Sequence, residues 1–190
     1  MTTSIRTEII TIGDEILIGQ TIDSNSAWLG QNLDLLGYQI VQISSIADQS
    51  DQIVKALDLA KERADLIIIT GGLGPTLDDR TKQTLADYFG MKLIVNDLVM
   101  HNIKKILNFR NYPFLQSNMN QALVPEGCMV LNNVAGTAPG MLFQQDSKVI
   151  VSLPGVPFEM KTIAENELFP WLLTNLQSEP SLFKMIMTTG

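Results

Sequence analysis

The 190-residue chain holds one cysteine and one histidine. A lone Cys128 excludes an intramolecular disulfide and a cysteine-based zinc site; it reads as a half-buried apolar residue ahead of "MVL". His101 lies in "VMHNIKKIL", an ordinary amphipathic helix, and reads as a helix-surface residue rather than a catalytic one. Long apolar runs are also missing. Nothing approaches the roughly eighteen residues of a membrane span, and the N-terminus lacks the charged-then-apolar layout of a signal peptide. A soluble cytoplasmic protein with no membrane partner is expected. Charge is scarce, at 17% of residues, and leans one way, with 13 Lys and Arg against 20 Asp and Glu. The net charge of −7 and pI near 4.6 argue against a nucleic-acid partner, which calls for a basic surface. An acidic chain would hold an anionic small molecule through backbone N–H groups or through a metal.

Hydrophobic residues make up 45% of the chain and mean hydropathy is +0.15, enough for one substantial core. Residues 5–12, "IRTEIITI", read as a first strand ending at Gly13. Ser24 is expected to cap a helix through "NSAWLGQNLDLLG", with Leu29, Leu33 and Leu36 on one face and Gly37 as the stop. "YQIVQISSIA" reads as a second, less buried strand. A helix from Ser50 follows, with Ile53, Leu57 and Ala60 facing inward. "DLIIIT" is a short apolar run of the kind parallel sheets bury on both faces. "DDRTKQTLADYFG" gives a third helix with Leu85 and Phe89 inward and Gly90 at its end. Three strand–helix units in succession predict a doubly wound α/β sheet with right-handed crossovers. Beyond them, "DLVMHNIKKILNFR" reads as a helix and "NYPFLQSNMNQALVPEG" as a loop with a short helix. "GMLFQQDSKVIVSLPG" reads as a hairpin turning at Gln144–Lys148, and "VPFEMKTIAENELF" as a helix interrupted or restarted at Pro170. "LFKMIMTTG" resembles a strand cut short.

The stretch "TGGLGPTLDDRT" leaves the third strand with three glycines and two adjacent aspartates. Ligands of open α/β sheets bind beyond the carboxyl ends of the strands. There Gly71, Gly72 and Gly74 let the backbone approach a bulky anion, and a following helix offers unsatisfied N–H groups. Helix capping explains one aspartate. Two carboxylates would repel a phosphate unless a divalent cation bridges them, which makes Asp78 and Asp79 candidate metal ligands. No Lys-Ser/Thr pair follows the glycines, so the loop is no P-loop, and it misses the dinucleotide fingerprint. Asp14 and Glu15 leave strand one and Asp48 leaves strand two. Each alone reads as a cap or a solvated residue. With Asp79 they would make an acidic rim suited to Mg²⁺, Mn²⁺ or Co²⁺.

The ordered motifs "GDEILIGQTIDSNSAWL", "TGGLGPTLDDRT", "NQALVPEG", "NNVAGTAPGM" and "LPGVPFEM" resemble the competence/damage-inducible protein CinA family over residues 5–175. Its N-terminal domain is similar to the molybdenum-cofactor biosynthesis domain of the MoaB, MogA and gephyrin type. The resemblance implies a three-layer α/β/α sandwich with a mostly parallel sheet over residues 1–178. Residues 179–190 would begin a linker toward the family's nicotinamide-nucleotide amidase domain, to which nothing here corresponds. It further implies metal-dependent hydrolysis of a nucleotide diphosphate, ADP-ribose giving AMP and ribose 5-phosphate. Gly71, Gly72, Gly74, Pro75 and Thr76 would then cradle phosphates, Asp79 and Asp78 bind metal, and Asp48 or Glu15 hold metal or activate water. Positions matching Asp48 and Asp79 are acidic in the molybdopterin-binding relatives. Thr137, Pro139 and Gly155 would close the pocket, though "GTAPG" and "PGVP" are turn formers in any case. Leu73 and Asp78 replace the Thr and Arg usual in molybdopterin enzymes, which weakens a second reading as a molybdopterin-binding module. A third reading is a non-catalytic regulatory domain, with Trp171 or Met185 at a subunit interface. The family suggests a homodimer.

Overall fold

The computed structural model describes residues 4–74, 80–176 and 178. The expectations placed on Pro75, Thr76, Asp78 and Asp79, on Met185 and on the strand-like "LFKMIMTTG" lie outside these residues. Strand β1 (Arg6–Ile12) is followed by a single helical turn, α1 (Asp14–Leu17), and by α2 (Ser24–Leu35). Strand β2 (Gln39–Ile46), α3 (Ser50–Arg63) and β3 (Leu66–Thr70) come next, then α4 (Thr81–Tyr88). An excursion follows: β4 (Leu93–Val95), α5 (Asp97–Phe109), α6 (Gln116–Gln121) and β5 (Leu123–Pro125). The chain closes through β6 (Met129–Leu131), β7 (Gly140–Gln145), β8 (Lys148–Leu153), α7 (Pro157–Ile163) and α8 (Phe169–Asn175).

The main sheet runs β2-β1-β3-β8-β7-β6, with the first four strands parallel, β7 antiparallel to β8, and β6 antiparallel to β7. Strands β4 and β5 pair separately. The expected α/β/α sandwich with a mostly parallel sheet is observed. Every residue of β3 is buried, and its alternation divides the core. Leu66 and Ile68 pack with Leu29 and Leu33 of α2 and with Met160, Ile163 and Leu172. Ile67 and Ile69 face Ile53 and Leu57 of α3, Leu85 of α4 and Phe143. Fully burying such side chains contributes about 1.5–3 kcal/mol each. Strand β2 is an edge strand with alternating exposure, as its pattern predicts.

Several boundaries differ from the sequence expectation. The cap of α2 is Asp23, whose Oδ1 accepts from Ser26 N at 2.9 Å, and Ser24 is the first helical residue. The aspartate wins because its second oxygen accepts from Thr11 Oγ1 at 2.7 Å, tying α2 to β1. Strands β4, β5 and β6 carry no sequence signal, being three residues each and too short for a periodic pattern. The β7–β8 turn at Asp146 and Ser147, with φ of 51° and 63°, has the left-handed geometry of a two-residue hairpin. Between α7 and α8 the chain widens into a π turn, Ala164–Leu168. This places Pro170 in a first helical turn, where its missing N–H and its ring are tolerated. Trp171 is partly buried against the core rather than displayed.

Candidate functional site

The carboxyl ends of β1, β2, β3 and β8 all point one way, because these strands are parallel. The chain turns to β2 on one side of β1 and to β3 on the other, so this end is a topological switch point. Gly71 and Gly72 leave β3 here with φ of 113° and 65°. A Cβ on Gly71 would collide with the carbonyl oxygen of Ile12 at the end of β1. A Cβ on Gly72 would collide with Thr81 Oγ1 and stand 3.0 Å from Asp48 Oδ2. Glycine is therefore required at both positions, and the Gly71–Gly72 turn is the floor of the site.

Three elements converge on that floor. From the β2 end comes the half-buried Asp48. From α4 comes the fully buried Thr81, whose N–H donates to Gly72 O at 3.3 Å and whose hydroxyl has no hydrogen-bond partner. From α2 comes Asn25, whose Nδ2 donates to Gly155 O at 2.8 Å and to Thr70 Oγ1 at 3.2 Å. That amide joins the ends of β3 and β8. Alongside, Asp14, Asp48, Gln49, Ser50, Asp51 and Arg80 line a polar cavity of about 600 Å³. A larger groove of about 730 Å³ between α2 and β2 is lined by Ala27, Gly30, Ile40 and Ile43 among others and offers mainly packing area.

The remaining predicted residues fall into place unevenly. Gly155 is exposed and abuts Gly71, and Gly74 is exposed on the glycine loop. Glu15 folds back over Gly13, its Oε1 2.7 Å from where a Cβ would stand. Half-buried Thr137 and buried Pro139 belong to a loop organised by Asn133. Asn133 Nδ2 donates to Ala138 O and to Glu159 Oε2 at 2.8 and 2.6 Å, while its Oδ1 accepts from Ala135 N and Gly136 N. Asn102 of α5 donates to Asn133 O at 2.5 Å, holding the loop from its other side. Among the described residues no three acids, histidines or cysteines come together to hold a metal ion. His101 is exposed, and burial pushes the Cys128 thiol up to about 11, so it is no nucleophile near neutral pH. Among the described residues no helix is long and apolar enough to cross a membrane.

The sequence does not single out Asn25, Thr81, Asn133 or Glu159. Asn25 sits inside the quoted "GDEILIGQTIDSNSAWL" motif and Thr81 lies one residue beyond the aspartate pair, after Arg80, but nothing in a sequence marks which polar residue of a helix start turns inward.

The fold and this switch-point turn define a known class of domain. Residues 8–174 match the family described as "Probable molybdopterin binding domain" (MoCF_biosynth), and the chain belongs to that family, in its CinA-like branch. It is 46% identical over 183 residues to a CinA-like protein of Flavobacterium psychrophilum, covering 96% of this chain and 44% of that protein. A putative competence-damage inducible protein of Caldicellulosiruptor bescii is 42% identical over 165 residues, covering 87% of this chain and 40% of its own length. The chain thus spans less than half the length of these relatives. The crystal structure of CinA from Thermoplasma acidophilum superposes with a TM-score of 0.79 at 33% identity, covering 88% of this chain and 98% of that one. The molybdopterin biosynthesis enzyme MoaB of Thermus thermophilus shares the fold at a TM-score of 0.55 and 20% identity, covering 88% and 91%.

Proposed function

We propose that the domain hydrolyses a nucleotide diphosphate with the help of a divalent cation, splitting ADP-ribose into AMP and ribose 5-phosphate. The observation that carries this reading is the Gly71–Gly72 turn, which excludes any Cβ and is flanked by Asp48 and by the unpartnered Thr81 hydroxyl. Such a turn lets a diphosphate approach the backbone closely, and α4 begins behind it. Asp48 is the general base of this reading and accepts a proton from the attacking water. The water oxygen bonds to one phosphorus as the bridging P–O bond breaks, and the bridging oxygen leaves with the other phosphate. Thr81 Oγ1 donates to a phosphate oxygen. Glu15 walls the β1 side, and Thr137, Pro139 and Gly155 close the other.

Every candidate donor at this end is oxygen, which suits Mg²⁺, Mn²⁺ or Co²⁺. Asp78 and Asp79 would hold such an ion; Mg²⁺ needs only one or two carboxylates beside water and phosphate oxygens. Bound there, it would supply an acidified water and neutralise phosphate charge. The test is AMP release from ADP-ribose by the purified chain with each ion in turn and EDTA as control. Metal-dependent release that collapses in Asp79→Ala supports the reading, and no release with any ion sinks it.

The family description supports a second reading, a molybdopterin- or nucleotide-binding regulatory module without catalysis. Against it, Leu73 is 8% exposed and packs into the core on the α3 side, so this position gives the site no hydroxyl. Tight molybdopterin binding without hydrolysis would favour it.

A further inference from the structure

Asn25 is 7% exposed, and its hydrogen bonds fix which end of its carboxamide is which. Gly155 O can only accept, and the Thr70 hydroxyl proton is committed to Pro154 O at 3.0 Å. Both partners of the amide therefore demand its NH₂ group. Turned over, the side chain would set its oxygen against two acceptors. Oδ1 is thus locked in the opposite direction, where it is buried and has no hydrogen-bond partner. Asn133 makes the contrast, with both donors and its acceptor engaged. Native interiors leave few such acceptors unmade, since each weakens the fold.

The neighbourhood decides what kind of donor would complete it. Asn25 is anchored by the clip at the start of α2, where Asp23 holds Ser26 N and Thr11 Oγ1. It bridges to Gly155, which abuts Gly71. Gly155 and the nearby Ile22 and Val156 are exposed, so the amide lies just beneath the surface at the strand ends. A phosphate oxygen near neutral pH has no proton to offer, so Oδ1 repels the part of a ligand that the glycine turn receives. A sugar hydroxyl next to that phosphate is a donor, and it is the group a fixed carbonyl oxygen selects.

We propose that Asn25 Oδ1 accepts a ribose hydroxyl of the bound nucleotide, making Asn25 the residue that selects ribose over deoxyribose; this rests on the nucleotide reading above. A site built to bond a hydroxyl rejects ligands that lack it, because its own polar group is then left unpaired. Loss of one such bond corresponds to about tenfold to a hundredfold in affinity.

The experiment titrates the chain calorimetrically, with Mg²⁺ present, using AMP, its 2′- and 3′-deoxy forms, ribose 5-phosphate and 2-deoxyribose 5-phosphate. None of these can be turned over. The expected result is weaker binding of at least one deoxy form by about tenfold or more, with the difference erased in Asn25→Ala. Equal binding of every ribo and deoxy pair by the unaltered chain overturns the proposal, and needs no variant to fold. A deoxy penalty that survives in a folded Asn25→Ala also overturns it. Mn²⁺ titrated alone should bind the unaltered chain and the variant equally. Loss of Mn²⁺ binding in the variant would make Oδ1 a metal ligand and overturn the proposal. If neither AMP nor ribose 5-phosphate binds, the nucleotide reading itself fails and takes this proposal with it.

Discussion

Gly155 and Gly71 meet backbone to backbone: a Cβ on Gly155 would stand 3.3 Å from Gly71 Cα. The two positions nevertheless differ in what they tolerate. Gly71 has a φ of 113° and no room beside Ile12 O, so Gly71→Ala should cost more than about 2 kcal/mol of stability. Gly155→Ala meets only a tight contact and should cost about 1 kcal/mol or less. Urea denaturation of both variants checks this. Equal losses would mean that the two glycines are required for the same reason.

Asp48 is the general base of the proposed reaction. Asp48→Asn should lower AMP release from ADP-ribose by about 10²- to 10⁴-fold while the melting temperature stays near that of the parent. Unchanged turnover in a folded variant would remove Asp48 from the chemistry.

Glu8 lies in the middle of β1, its side chain 1% exposed, and Arg63 Nε reaches it at 2.7 Å from the end of α3. Arg63→Ala strands a buried carboxylate and should destabilise by about 3 kcal/mol. Replacing both residues with leucine should recover much of that loss. A single-variant loss under about 1 kcal/mol would show that solvent reaches Glu8.

Asp65 accepts from Arg6 and from Lys148 at 3.1 Å each, and these cations hold its carboxyl down at about 2. A depressed carboxyl stabilises the fold above its unfolded value of about 3.9. That stabilisation is lost as pH falls from about 4 through about 2. Asp65→Asn should flatten this part of the acid-denaturation curve, and an unchanged slope would assign it to other groups.

Lys82 Nζ donates to Asn120 O at 2.6 Å, and burial lowers its amine to about 8. The charged form is disfavoured in the fold, so this cost is relieved as pH rises from about 8 toward about 10.4. NMR of lysines labelled at the ε-carbon should show one resonance titrating near pH 8 that vanishes in Lys82→Arg. Uniform titration near 10.4 would mean that the amine is solvated.

The parallel half of the fold was legible because its signals are long and redundant. Leu29 and Leu33, or Ile53 and Leu57, repeat at helical spacing, and the "LIII" of β3 has no other comfortable place than a sheet buried on both faces. The three-residue strands β4, β5 and β6 are held by partners distant in sequence, as when Leu93 pairs with Pro125, and no local pattern announces that. The site divides the same way. Gly71, Gly72 and Asp48 could be placed because glycine and acid at a strand end are chemically unusual. Asn25 could not, since its role depends on Thr70 and Gly155 arriving from two other strands.

The pairing of β3 with β8 matches Leu66 to Val149 across the whole antiparallel excursion. The strands from β1 to β3 need only short connections and can form early, whereas β8 must close a long loop before it contributes. Closure entropy grows only logarithmically with loop length, so lengthening the exposed tip between α5 and α6 should barely change equilibrium stability. The β8-β7-β6 half of the sheet is therefore expected to dock after the β2-β1-β3 half, and its docking closes the Gly71–Gly155 seam. A chain stalled before that step would already carry the Gly71–Gly72 turn, Asp48 and Asn25, but would lack the Gly155 carbonyl that holds the amide in register.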